Sequence, residues 1–156
     1  MPARRTQAFS LVELVLVVAI LAVLGAIALP RFGRSVGRQR LAAAASRVAA
    51  DLRWARSRAV LRSTAAGVVF PVAGQALSYQ MFSSPDLDRG MPMSGTSTVT
   101  PAPGVVVTAC DFGGDTGLYY DGFGVPDSGG SISIQLGEFT STISVDAQTG
   151  TPTVTP

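Results

Sequence analysis

The sequence predicts an α+β protein: a long N-terminal helix, first transmembrane and then amphipathic, packed on a small antiparallel β-sandwich head. Three observations predict it. Residues 9–30, FSLVELVLVVAILAVLGAIALP, form an apolar run that carries one charge, Glu13. Residues 31–64 keep apolar side chains at spacings of three and four, the period of one helix face. From Ala65 onward the pattern changes to short alternating runs separated by Gly, Pro, Ser and Asp, the signature of strands and turns.

Roughly 20 apolar residues suffice to cross the hydrocarbon core of a bilayer. A secretory signal peptide has a shorter apolar region, about 7 to 15 residues, followed by a small-residue cleavage site. Here the run is longer and passes directly into more helical sequence. Glu13 is its anomaly, because a carboxylate in hydrocarbon costs on the order of 3 kcal/mol unless it is paired or lies at an interface. Gly25 and Pro30 interrupt the run. Proline lacks an amide donor and its ring meets the carbonyl four residues back, here Ala26, so a kink or loosened turn is expected at Pro30.

In the stem, Leu41, Ala45, Val48, Leu52, Ala55 and Ala59 make one apolar stripe, while Arg40, Arg47, Arg53, Arg56 and Arg58 fall off it. Trp54 and Leu61 also point away from the stripe and suggest a second apolar strip. That strip either touches a neighbouring molecule or covers the edge of the head. Unbroken, a helix from Phe9 to Thr64 would span about 80 Å at 1.5 Å per residue. In the head, residues 67–70 and 76–82 read as two strands joined by a hairpin connection, and residues 83–103 as a long surface loop. Residues 105–107 and 118–120 follow as strands. Residues 131–136 and 139–145 alternate cleanly, with Gly137-Glu138 suited to a tight turn between them. Such a set of short strands indicates a small sandwich beside the helix stripe.

Composition narrows the function. Residues 1–62 hold eleven Arg against Glu13 and Asp51, a charge of +9, whereas residues 63–156 hold only Arg89 against eight acids, a charge of −7. A basic stem therefore carries an acidic head, and its arginines suit anchoring to anionic membrane lipid and pairing with acids of neighbouring subunits. Cys110 is the single cysteine, so no intramolecular disulfide forms, and it is expected to pack as a small apolar residue. With no His, a Ser-His-Asp triad and the commonest zinc sites are excluded, and no enzyme activity or cofactor is expected. Asp86, Asp88, Asp111, Asp115 and Asp121 lie on separate loops without EF-hand spacing, so no metal site is expected either. Two arginines precede the apolar run and five follow it closely. The positive-inside rule alone would therefore place the C-terminal part in the cytoplasm.

The residues around Glu13 carry a family resemblance. A short leader with Arg4 and Arg5 is followed by Ala8-Phe9-Ser10-Leu11-Val12-Glu13, with Pro30 further on. This resembles the processing site of type IV prepilins and type II secretion pseudopilins. The resemblance implies that residues 1–8 are a leader removed between Ala8 and Phe9, and that Phe9 is then N-methylated. It implies that Glu13 and Pro30 serve assembly, Glu13 by pairing with the Phe9 amine of an adjacent subunit. One departure is Ala8, where the family usually has Gly. Leu52-Arg53-Trp54-Ala55-Arg56-Ser57-Arg58-Ala59 resembles the helix end of the GspH/FimT branch, with Arg58 in place of its usual Glu. The run 118–126, then Ser128-Gly129-Gly130 and Thr149-Gly150, resembles the head of that branch. The resemblance thus divides the chain into leader 1–8, polymerisation helix 9–30, amphipathic stem 31–64 and GspH/FimT-like head 65–156.

The function so implied is that of a minor pilin-like structural subunit, assembled into a type II secretion pseudopilus or a type IV pilus for protein secretion. The implied partners are the prepilin peptidase/methyltransferase, other pilins or pseudopilins, the inner-membrane assembly platform and membrane lipid. The implied location is the bacterial inner membrane, single-pass, with the head periplasmic, which overrides the positive-inside count. The alternative is a FimT-like minor pilin that binds DNA for uptake. Nucleic acid is not the expected partner, because the stem would be inside a filament and the exposed head carries −7.

Overall fold

A computed structural model describes residues 10–84 and 98–156, with the backbone alone for residues 27–32 and 84. Helix α1 (Leu11–Arg62) is followed by seven strands: β1 (Ala65–Val69), β2 (Gln80–Ser84), β3 (Val106–Phe112), β4 (Gly117–Tyr120), β5 (Gly130–Leu136), β6 (Phe139–Val145) and β7 (Pro152–Thr155). The helix runs through the position of Pro30 as one element. It divides between two units, the first ending at Val36 and the second being Gly37–Pro156.

Within the second unit the stripe seen in the sequence is the helix's buried face. Leu41, Ala45, Val48, Leu52, Ala55 and Ala59 are buried, joined by Ala44 and Ala49. Small residues alternate with larger ones along this face, which lets the sheets approach the helix closely. The helix ends in a left-handed turn: Ser63 has φ 51°, its amide donates to the Val60 carbonyl and the Thr64 amide to that of Ala59. This is the Schellman arrangement, here with serine in place of the usual glycine.

Two antiparallel sheets share the core with this face. One has the order β2-β1-β4 and the other β3-β5-β6-β7. Tyr79, Phe112, Leu118, Tyr120, Ile132, Ile134 and Ile143 are the large buried side chains between them and the helix. Phe70 joins Tyr79 and Phe112 with ring centroids 5.3 and 5.8 Å apart. In β1, Gly67 lies opposite Tyr119, and a Cβ there would run into the Tyr119 ring, so only glycine fits.

The expected β5–β6 hairpin is present in register Leu136↔Phe139, with Gly137 at φ 60° in its two-residue turn. Two expectations need correction. Residues 76–82 are not one strand: the buried alternation of Leu77, Tyr79 and Met81 is continuous, but the hydrogen-bond partners change partway. Ala76 bridges Val106 and Tyr79 bridges Val99, while residues 80–84 pair with β1. Residues 152–155, which the sequence pattern did not mark as a strand, form β7 on the outer edge of β6. Of the long loop over residues 83–103, residues 85–97, with Asp86 and Asp88, lie outside the described residues.

Candidate assembly surfaces

Of the residues singled out for processing and assembly, Ala8 and Phe9 lie outside the described residues, and Pro30 is described by backbone alone. Glu13 stands in the first turn of α1, where a carboxylate complements the positive end of the helix, and it is exposed. Around it the apolar side chains point outward on every side of the helix. Leu11 is 77 % exposed, Leu14 59 %, Val18 58 % and Leu21 61 %. A helix that is apolar all round requires cover from other helices or from lipid. Among the described residues no helix is long and apolar enough to cross a membrane.

At the other end of α1, the arginines of the Leu-Arg-x-Ala-Arg-Ser segment bind backbone carbonyls. Arg53 donates to the carbonyl of Pro152 at 3.0 Å, which ties the helix to β7. Arg56 donates through Nε to the carbonyl of Gly124 at 3.0 Å, which ties it to the turn between β4 and β5. Gly124 has φ 80°, and a Cβ there would meet Val60 at 2.7 Å, so glycine lets this turn lie against the helix. Arg58, in place of the family's Glu, stacks over Trp54 at 5.2 Å. Trp54 itself borders a cleft with Arg47, Ala50, Asp51 and Met81, beside β2, while Leu61 is 85 % exposed. The expected second apolar strip therefore splits, with Trp54 at the edge of the head and Leu61 in solvent.

A buried polar contact that the sequence did not signal joins helix to sheet. The Tyr79 hydroxyl donates to Asp51 Oδ2 at 2.6 Å, and Arg47 Nε donates to the same oxygen at 3.0 Å. Arg47 and Asp51 are four apart on α1, so their pairing was legible; Tyr79, on a distant segment, was not. Burial, and then the hydrogen bond to Asp51, push the Tyr79 phenol well above its ordinary range. Tyr120, which donates to the carbonyl of Gly150 at 3.2 Å, is pushed up to about 12, again mainly by burial. A folded state that holds these protons more tightly than the unfolded chain keeps that stability below the unfolded pKa of about 10 and loses it as pH rises beyond. The melting temperature is therefore expected to be level from about pH 6 to about pH 9 and to fall steeply above about pH 10. Tyr79→Phe is expected to flatten that fall, as thermal melts across pH will show.

The acidic loops serve their own turns. Asp111 Oδ1 accepts the Gly114 amide, Asp115 Oδ1 the Thr116 amide, and Asp121 Oδ1 the amides of Phe123 and Val125. Asp146 accepts the amide and hydroxyl of Thr149 and the amide of Gln148, bonds that lower its pKa. Cys110 is half-buried, and burial with the nearby Asp111 and Asp115 raises its thiol to about 11, which keeps it unreactive.

The family model described as "Type II transport protein GspH" matches residues 44–150, and that described as "Prokaryotic N-terminal methylation motif" matches residues 3–29. The chain belongs to the GspH family. The GspH match starts in the buried stripe and ends at Gly150, whose carbonyl receives the Tyr120 hydroxyl. It thus takes in both arginine contacts' helix residues and the turn that Arg56 holds. The fold is similar to crystal structures of the type IV minor pilin FimU from Pseudomonas aeruginosa strain PAO1. One matches with a TM-score of 0.56 and 17 % identity, covering 76 % of this chain and 90 % of that one. A second crystal form gives 0.54 and 16 %, with 74 % and 93 % covered. No curated protein matches the chain. With a GspH head behind a methylation motif, the protein is a minor pilin-like subunit of the type II secretion or type IV pilus class. Such families are structural, anchored in the inner membrane and assembled into filaments. Nothing in these similarities supports the DNA-binding alternative.

Proposed function

We propose that the chain is cut between Ala8 and Phe9, methylated at Phe9, and built into a periplasmic filament through α1, with no catalytic activity of its own. The observation that carries this reading is the first unit of α1. Its apolar side chains are exposed all round, and its charge near the amino end is a single carboxylate, Glu13. Lipid covers such a surface before assembly and neighbouring helices cover it afterwards. Glu13 then receives the Phe9 amine of an adjacent subunit, which sets the stagger between subunits. Pro30 loosens the helix where subunits pack, and residues 31–64 form the stem that continues into the head. The inner-membrane assembly platform and other pilin-type subunits are the partners, with the head of residues 65–156 on the periplasmic side.

Shearing of filaments from cells that make the full chain tests the proposal. The processed chain is expected in the sheared fraction together with other pilin-type subunits, and in the inner membrane when the assembly platform is deleted. A chain found only in the membrane in both strains would overturn it.

A further inference from the structure

The turn between β4 and β5 holds a bulky apolar side chain in solvent: Phe123 is 87 % exposed. Its neighbours Gly122 and Gly124 lie against Ser63 and against Val60 and Arg56, so Phe123 stands at the end of α1. There Leu61 is exposed, and Val60 and Val125 are each 48 % exposed. Alongside runs an open groove of about 560 Å³ lined by Arg53, Arg56, Ser57, Val60 and Leu61.

Exposed hydrophobic residues are ordinary when scattered singly. This one is held rigidly. Asp121 Oδ1 accepts the amides of Phe123 at 2.9 Å and Val125 at 2.8 Å. The Asp121 amide donates to the Val125 carbonyl and the Gly124 amide to the Asp121 carbonyl, each at 2.9 Å. Arg56 clamps the Gly124 carbonyl from the helix. An aromatic on a turn so fixed loses little conformational freedom on binding, and aromatic and arginine side chains are the usual anchors of protein interfaces.

Charge selects the occupant. Residues 52–62 carry Arg53, Arg56, Arg58 and Arg62 and no acid. The two acids of the turn are engaged within the head: Asp121 accepts the amides of Phe123 and Val125, and Asp127 accepts the Tyr119 amide and the Ser128 hydroxyl. A complementary surface is an apolar pocket with carboxylates on its rim. Among the described residues, the two grooves beside the helix offer no such pocket to a second copy: one is lined by Arg53 and Arg56, and the other by Arg47, with Asp51 engaged by Tyr79 and Arg47. We infer that Phe123 and the end of α1 dock into a carboxylate-rimmed apolar pocket on a different subunit of the filament. The inference rests on the filament reading above.

The test places the photo-crosslinking residue p-benzoylphenylalanine at Phe123 of the full chain in cells, and at exposed Thr140 as a control. The expected result is one product in the sheared-filament fraction, joined to another subunit with its own methylation motif, within a peptide bearing Asp or Glu. Its yield is expected to fall severalfold when filaments are held in roughly 0.5 M salt, where surface charges are screened. Thr140 is expected to give no such product. Phe123→Ser is expected to lower co-purification with that subunit at least tenfold while leaving the melting temperature unchanged. A product between two copies of this chain overturns the inference, as does a lipid adduct, a nuclease-sensitive product, or no product although the chain is present in the filaments. If the chain never reaches the filament fraction, the filament reading fails and this inference with it.

Discussion

Glu13→Ala is expected to leave the chain in the membrane and to reduce its incorporation into filaments by a hundredfold or more. Removing one member of a buried ion pair leaves the other uncompensated, at a cost of about 3–5 kcal/mol, and each 1.4 kcal/mol is a factor of ten. The magnitude separates this role from a merely local one. Glu13 lies in the first turn of α1, where its favourable interaction with the helix dipole amounts to only about 0.3–1 kcal/mol. Loss of that alone would lower incorporation less than tenfold. Glu13→Gln, which keeps the size and loses the charge, is expected to behave like Glu13→Ala. The ratio of sheared to membrane-bound chain on quantitative immunoblots gives the answer.

The second large effect is on the stability of the head. Asp51→Ala removes the acceptor of the Tyr79 hydroxyl, which is buried, and leaves it without a partner. An unsatisfied buried hydroxyl costs about 1–3 kcal/mol, and the lost bond to a charged acceptor adds to it. A destabilisation of about 2–3 kcal/mol is expected, a fall in melting temperature of roughly 10 °C for a domain of this size. Tyr79→Phe is expected to cost less, because Asp51 keeps Arg47. Arg47→Ala is expected to cost least, about 0–1 kcal/mol, because the Arg47 side chain is 60 % exposed. Thermal melts of the full chain in detergent would show this order. An Arg47→Ala effect as large as that of Asp51→Ala would mean that the ion pair, and not the phenol bond, joins helix to sheet.

Local patterns were legible in the sequence, and contacts between distant segments were not. The stripe from Leu41 to Ala59 was plain because helical period and burial coincide over five turns. The β5–β6 hairpin was plain because Ser-Ile-Ser-Ile alternation and Gly137 agree. Strand β7 was missed because Pro-Thr-Val-Thr is short and only weakly apolar, and becomes a strand by pairing with β6. The division of residues 76–84 among Val106, Val99 and β1 left no trace, since the inward alternation continues across it. At the candidate site, the family pattern pointed to Arg53 and Arg56, but their carbonyl partners lie 99 and 68 residues away. The exposure of Phe123 was hidden for the same reason. A Gly-Phe-Gly turn shows that the chain reverses, not which side chain is left outside.

The central claim, that the apolar helix becomes an assembly element once its amino end is freed beside Glu13, is tested most directly by mass spectrometry of the chain recovered from filaments. The account predicts a polypeptide that begins at Phe9 and carries one added methyl group on its amine. Recovery of an intact leader from Met1, with Phe9 unmodified in cells whose peptidase is active, would contradict it.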